Sequence, residues 1–471
     1  MNLPMHIDAA VDGPRFEVRS PVDGRIVTTA RDAAPDEVDA AVESAGRAGE
    51  SLARLTAFDR ADLLRGAAAN LRAMTEEIAE IVAWETGRPL ASGRDEVAKA
   101  ASGLVLAAEE GVRLGGEVVP VRAADRHTMT TRHPLGVWAV LSPWNFPVNI
   151  PIEYLGPAIA TGNGVVWKPA PSTVGSAALV MAAFRDAGLP DGAVQLLTTD
   201  RIDTASTLVS HPGIAGVGLT GSTPTGEAVA RLAAGKELIF ELGGNGPVLV
   251  FSDADLPRAA AAIAASGFSA SGQICSSTGR VLADPSVVDR LADLIADEAR
   301  GYRLGDPFDA DTVIGPVHDT GIARRVRERL ASAVAAGARV HTPDDADDRS
   351  TECYLPPAVV SGVPLGHPLE AEESFGPVVP IVAVHDDDLV ATANAGAHAL
   401  SVALFTSDYR RAMTASATMR FGSVVVNDRP SYWELHLPFG GWHGRASGSG
   451  RVGVREVVRR MTQTRTTTFA W

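Results

Sequence analysis

The chain has 471 residues, 45% apolar and 21% charged, with a formal net charge of −15. That length exceeds one ordinary core, so two large domains are expected in a soluble globular protein. The acidic balance argues against nucleic acid and against an anionic membrane as partner, although a basic pocket can sit inside an acidic protein.

The opening stretch MNLPMHIDAAVDGPRF has acidic residues and no long apolar run, which is unlike a signal peptide. No segment reaches the roughly 18 uncharged apolar residues of a membrane span, so a cytoplasmic location is expected. Between Asp59 and Gly87, apolar residues fall at Leu64, Leu71, Met74, Ile78, Val82 and Trp84. Most of these steps are three, four or seven, which predicts one amphipathic helix closed by Gly87 and Pro89. A second helix is expected over 93–114. The stretch VRAADRHTMTTR at 121–132 is polar, and β-prone from Thr128 to Arg132; MTQTRTTT at 461–468 has the same character. Such segments pair with each other or with another subunit.

From Gly136 short apolar runs alternate with helical stretches. Strands are predicted over 136–141, 164–167, 194–197, 214–219 and 238–242, with a helix from Val174 to Ala187. The second half continues in the same way, with a strand over 247–251, helices to Arg303, then strands near 377–384 and 423–427. This alternation predicts parallel sheets covered on both faces. The expected fold is α/β: two Rossmann-like open parallel-sheet domains plus a small β oligomerisation segment. Residues 1–120 and 134–242 would form a cofactor-binding domain and 243–440 a catalytic domain. Segments 121–133 and 455–471 would serve oligomerisation.

Four segments carry chemistry. In 217–226, VGLTGSTPTG, a buried strand runs through Thr220 and Gly221 to Ser222, and a helix begins with Pro224 in its first turn. Backbone N–H groups at such a start suit a pyrophosphate, though the spacing is not GxGxxG. In LSPWNFP, 141–147, two prolines stiffen Asn145 at a strand end that faces the ligand crevice, where a side-chain amide makes an oxyanion donor. In FELGGN, 240–245, Glu241 sits in an apolar strand ending at Gly243, and burial suits it to general-base work. In SGQICSS, 271–277, Cys275 lies among small residues. The two cysteines, Cys275 and Cys353, lie far apart without metal-ligand spacing, so neither a disulfide nor a metal site is expected. Read alone, each segment has a plainer meaning: a tight turn with an N-cap, a rigid turn with a capping Asn, a buried ion-pair partner, an inert small thiol. Cys353 keeps the last.

Taken together, the chain resembles the aldehyde dehydrogenase superfamily over nearly its whole length. The matching pieces arrive in family order: SPWNFP at 142–147, WKPAPST at 167–173, LTGSTPTG at 219–226, FELGG at 240–244, SGQICSS at 271–277, EESFGP at 372–377 and LPFGG at 437–441. Glu241 and Cys275 stand 34 residues apart, as the family pattern has it. The resemblance implies Cys275 as nucleophile, Asn145 with the Cys275 backbone N–H as oxyanion hole, and Glu241 as the base that activates water. It also implies a cofactor site at Ser222, Gly221, Thr220, Gly243, Lys168, Trp144, Glu373 and Phe375. The implied reaction is NAD- or NADP-dependent oxidation of an aldehyde to a carboxylic acid through a thiohemiacetal and a thioester. Glu241 favours hydrolysis over transfer to coenzyme A, and the intact Cys, Glu and Asn positions argue against a non-enzymatic structural protein. A homodimer or homotetramer is implied.

One departure concerns the cofactor. Three residues after Lys168, where NAD-using members carry a Glu, stands Pro171; without that carboxylate a 2′-phosphate meets less repulsion, so NADP is expected to be tolerated. The substrate-side residues Asn149, Ile150, Glu153, Arg429, Tyr432, Trp433 and His436 are a polar mixture. The stretch 107–117 resembles the branch acting on lactaldehyde and on phosphonate- or sulfonate-bearing aldehydes. A short polar or anionic aldehyde is expected, with succinate semialdehyde or an aromatic aldehyde as alternatives.

Overall fold

A computed structural model describes residues 3, 5–7, 12–342 and 351–471. Part of the opening stretch, at 1–2, 4 and 8–11, lies outside the described residues. Among the described residues, no helix is long and apolar enough to cross a membrane.

Two parallel sheets organise the chain. The first has six strands in the order Gly448–Ser449, Glu237–Glu241, Ile214–Thr220, Val137–Leu141, Gly164–Lys168 and Val194–Leu196. Only the edge pair Phe240–Ser449 and Glu241–Gly448 is antiparallel. The strand Val137–Leu141 is buried throughout, as expected where helices cover both faces. Trp138 and Trp167, both fully buried, fill its helix-covered core, and Trp167 Nε1 donates to Ser142 Oγ at 2.8 Å.

The second sheet has seven strands in the order Arg339–Val340, Ala358–Ser361, Val378–Ala383, Thr278–Ala283, Gly246–Val250, Ser401–Phe405 and Ser423–Val426. Its two faces pack separate apolar clusters. A small antiparallel sheet joins Thr462–Ala470 to Arg126–Pro134 over nine residue pairs, with Val118–Val119 beyond. The two polar β-prone segments thus pair with each other within one chain. The fold is α/β, with two Rossmann-like parallel sheets and this small antiparallel one.

Some expectations need correction. The single helix over 59–87 is two helices, Ala57–Ala73 and Thr75–Thr86. Met74, at φ −94° and ψ 13°, separates them, and Thr75 Oγ1 caps the Arg72 carbonyl at 2.8 Å. Glu76 and Glu77 then start a new helix where acidic side chains are favoured. The segment after Phe251 is not all helix, because Thr278–Ala283 is a central strand. Arg280 in its middle hid it; that side chain is buried in an ion pair with Glu370. Sequence reasoning also missed Ser401–Phe405 and Ala358–Ser361, apolar runs too short to tell strand from helix.

Candidate active site

In the first sheet, Val137–Leu141 is followed in the chain by strands on one side and later by Ile214–Thr220 on the other. Ligands bind outside the carboxyl ends of strands at such a reversal. There the loops Ser142–Pro147 and Gly221–Pro224 open onto a cavity of about 760 Å³, in the size range of small-molecule sites. The opposite wall comes from the amino ends of the second sheet, with Cys275 ahead of Thr278–Ala283 and Glu373 and Phe375 ahead of Val378–Ala383.

A strained turn delivers the cysteine. Ala270 (φ 49°), Ser271 (φ 56°) and Gly272 (φ 74°) are successive left-handed residues. For a non-glycine residue that geometry costs roughly 1–2 kcal/mol, and it persists where neighbours over-determine it, often at functional sites. Ser271 Oγ donates to the Gly315 carbonyl at 2.7 Å, and Gln273 Oε1 accepts from the His318 N–H at 2.9 Å. A Cβ on Gly244 would lie 2.0 Å from the Cys275 carbonyl oxygen, and one on Gly243 2.6 Å from Glu373 Oε2. The paired glycines after Glu241 are therefore what lets strand end, cysteine loop and Glu373 converge.

Glu241 ends its strand at 4% exposure, and burial pushes its carboxyl up to about 8. The Cys275 thiol within hydrogen-bonding reach opposes that shift, while the Glu373 charge adds to it. Glu241 Oε1 is buried without a hydrogen-bond partner, an acceptor poised for a water molecule. Burial, then the Glu241 carboxylate, raise the Cys275 thiol well above its usual value. Glu373 is pushed up to about 7 by burial and accepts from the Gly244 N–H at 3.1 Å. Asn145 is 5% exposed, and its Nδ2 donates to the Gln273 carbonyl at 2.9 Å. A side-chain amide has two N–H donors, so the second is free for an oxyanion.

Toward the other end, Ser222 caps the helix Thr223–Leu232, its Oγ accepting from the Thr225 N–H at 3.3 Å. Gly221 and Thr220 line the cavity beside it, and Thr220 Oγ1 pairs with the Tyr154 hydroxyl at 2.8 Å. Trp144 stacks flat on His318, centroids 4.0 Å apart, and meets Phe375 edge-on at 5.6 Å. Phe375 is itself left-handed, at φ 54°. Lys168 ends the strand Gly164–Lys168 outside the cavity lining. Burial brings its ammonium down to about 8 against the pull of Asp200 and Asp32. Pro171 opens the short 3₁₀ turn Pro171–Thr173, whose Ser172 Oγ is 2.9 Å from His318 Nε2.

The substrate-side residues divide. Ile150 lines the cavity, whereas Asn149 and Glu153, on the same helix Asn149–Thr161, lie outside its lining. Asn149 Nδ2 donates to Glu153 Oε1 at 2.8 Å. Burial, then the Glu241 charge, raise the Glu153 carboxyl well above the usual range. Arg429 and His436 are exposed and outside the lining, and His436 faces Glu434 at 3.6 Å. Sequence reasoning missed Arg325 and Arg329, which line the cavity beside Glu372 and Glu373. Arg329 donates to the Glu373 carbonyl at 2.8 Å. Nothing in the local pattern of that helix, Thr320–Ala335, set these arginines apart from its others.

Residues 8–467 match the model of the aldehyde dehydrogenase family. A 3-sulfolactaldehyde dehydrogenase of Priestia megaterium is 34% identical over 438 residues, covering 92% of this chain and 90% of the relative. An NADP(+) succinate-semialdehyde dehydrogenase of Escherichia coli strain K12 is 34% identical over 450 residues, covering 95% and 92%. The crystal structure of an NADP-dependent glyceraldehyde-3-phosphate dehydrogenase from Bacillus halodurans, complexed with NADP, superposes with a TM-score of 0.94 at 31% identity, covering 97% of this chain and 96% of that one. With a family match over nearly the whole length and a cysteine, a buried carboxyl and an amide around one cavity, this chain belongs to the aldehyde dehydrogenase family, whose members are NAD(P)+-dependent enzymes.

Proposed function

We propose that this enzyme oxidises a short polar aldehyde to its free carboxylic acid. The observation that carries the reading is the convergence of Cys275, Glu241 and Asn145 on one cavity. Cys275 attacks the carbonyl carbon and its thiol proton passes to Glu241. The oxyanion takes hydrogen bonds from Asn145 and the Cys275 N–H. Loss of hydride from the thiohemiacetal carbon leaves a thioester on Cys275. Glu241, once its proton has left, takes another from water, and the acid departs.

NAD(P)+ supplies the hydride acceptor when bound. The residues present fit it: the helix start at Ser222 offers N–H groups to a diphosphate, Glu373 offers carboxylate oxygens to ribose hydroxyls, and Trp144 and Phe375 form an aromatic wall. Residues 1–120 and 134–242 are taken as the cofactor-binding part and 243–440 as the part supplying the cysteine, with 121–133 and 455–471 joining subunits. With Pro171 after Lys168, kcat/KM for NADP+ is expected to equal or exceed that for NAD+; strict NAD+ preference counts against it. Lys168 is charged below about 8, so KM for NADP+ should rise as pH climbs through that value. Lys168→Ala should flatten this dependence; the same pH profile in that variant would reject the lysine as a contact of the cofactor's ribose and its 2′-phosphate.

Asn149 and Glu153 share the helix Asn149–Thr161 with the cavity-lining Ile150, and neither offers a cation to an anionic aldehyde, which favours a neutral polar substrate. The relatives' sulfonate and carboxylate substrates favour the second reading, an anionic aldehyde. The cavity arginines, however, stand beside Glu372 and Glu373, and Arg329 donates to the Glu373 carbonyl. Lactaldehyde should be oxidised with kcat/KM at least about tenfold above succinate semialdehyde, since an anion would lose its hydration on that side of the cavity without a cation to pair with. Glu153→Arg should narrow or reverse that ratio. Wild-type preference for the semialdehyde would decide for the anionic reading. The single most direct test is an aldehyde panel followed at the reduced-cofactor absorbance with both cofactors.

A further inference from the structure

Arg88 and Glu96 are 3% and 2% exposed and form an ion pair, yet neither lines the cavity. Arg88 follows Gly87, the left-handed cap of the helix Thr75–Thr86, and Glu96 lies on the next helix, Leu90–Val112. Buried charges are costly, and pairing alone rarely repays that cost. What the pair holds is the loop after Val137–Leu141. Arg88 Nη1 donates to the Asn145 carbonyl at 3.0 Å, and the guanidinium lies over the Phe146 ring at 4.3 Å. Its other nitrogens are occupied by Ser92: Nη2 donates to the carbonyl at 3.0 Å and to Oγ at 2.7 Å. Glu96 Oε1 accepts from the N–H groups of Val148 and Asn149 at 2.8 and 2.9 Å. Val148 is the N-cap of the helix Asn149–Thr161 and has no side-chain cap of its own, so Glu96 serves as the capping carboxylate from another helix.

We propose that Arg88 and Glu96 are positioning residues for the oxyanion site, gripping the loop at Asn145 and just after it so that its amide stays aimed at the carbon attacked by Cys275. The inference rests on the reaction proposed above. Asn145 is held at three points: its carbonyl by Arg88, its Nδ2 by Gln273, and the helix that follows it by Glu96. A donor of this kind acts through placement, and displacement by about 1 Å can cost about 100-fold in rate.

The test is steady-state kinetics of Arg88→Lys and Arg88→Met, each alone and in an Asn145→Ala background, with an aldehyde the wild-type enzyme oxidises. Lysine keeps a cation against Glu96 but lacks the planar fork that reaches Ser92, Asn145 and the Phe146 ring together. For both variants kcat/KM should fall about 10- to 100-fold while KM for the cofactor changes less than about twofold. In the Asn145→Ala background the same change should add less than about threefold, because the group being positioned is gone. Alkylation of Cys275 by iodoacetamide, which needs no oxyanion donor, should stay near the wild-type rate. Full kcat/KM in Arg88→Lys, or losses that multiply with Asn145→Ala, overturn the proposal. Should Arg88→Met fail to fold, as an orphaned Glu96 would cause, Arg88→Lys decides alone. A wild-type enzyme that oxidises no aldehyde would instead refute the underlying reading, and would show before any variant is made.

Discussion

Replacing Cys275 by alanine is expected to abolish aldehyde-dependent cofactor reduction, with kcat down by at least about 10⁴-fold. An aldehyde carbon does not release hydride readily; the tetrahedral carbon made by thiol addition does. Without the sulfur that carbon never forms, and the second cysteine does not stand in for it: Cys353 is buried at 3% exposure and packs in a different apolar cluster. The resting site explains a second part of the expectation. Burial above all holds the Cys275 thiol well above its usual value. Alkylation by iodoacetamide should therefore be slow at pH 7 and quicken steadily toward pH 9 as the thiolate fraction grows. Mass spectrometry should find the adduct on Cys275. A Cys275→Ala protein that still reduces cofactor with aldehyde, or a thiol that alkylates equally fast across that range, would sink the assignment.

Legibility followed locality. Asn145 follows and Glu241 ends a strand of the first sheet, where the parallel-sheet rule places a crevice, whereas Cys275 precedes a strand of the second sheet and was singled out only by the family resemblance of its motif. The motifs' order along the chain could be read without coordinates because each motif is contiguous and resembles the family's. What escaped were residues whose partners are distant in sequence. Arg88 and Glu96 stand 57 and 52 residues from their contacts at Asn145 and Val148, one in the link between two helices and one on a helix whose pattern shows only packing. Arg325 and Arg329 looked like any exposed helical arginine. Arg429 and His436 were candidates by nearness to the C-terminal motif, yet both point to solvent, because a loop residue's direction is set by its turn and not by its neighbours in sequence. The seam at Met74 was invisible for the same kind of reason: apolar steps of three and four continue across it while the backbone does not.

Glu241→Gln should separate the two halves of the reaction. The first turnover should survive: a burst of reduced cofactor approaching one per site, followed by a steady state lower by about 10²- to 10⁴-fold, the usual worth of a general base. The burst should also be slower than wild type, since the amide cannot accept the Cys275 proton; its amplitude, not its rate, identifies a trapped thioester. The pH dependence gives an independent reading. Burial pushes Glu241 up to about 8, so the base is mostly protonated at pH 7 and is freed as pH rises. Wild-type kcat limited by thioester hydrolysis should climb through about pH 8 and level off above it. Glutamine has no such titration, so the variant should lose that limb. The Glu373 charge contributes to the same shift; in Glu373→Gln the wild-type limb should move to lower pH. A Glu241→Gln enzyme that turns over at the wild-type rate with the limb intact would hand the water to another base, for which the buried Glu153, raised partly by Glu241 itself, is the nearest claimant.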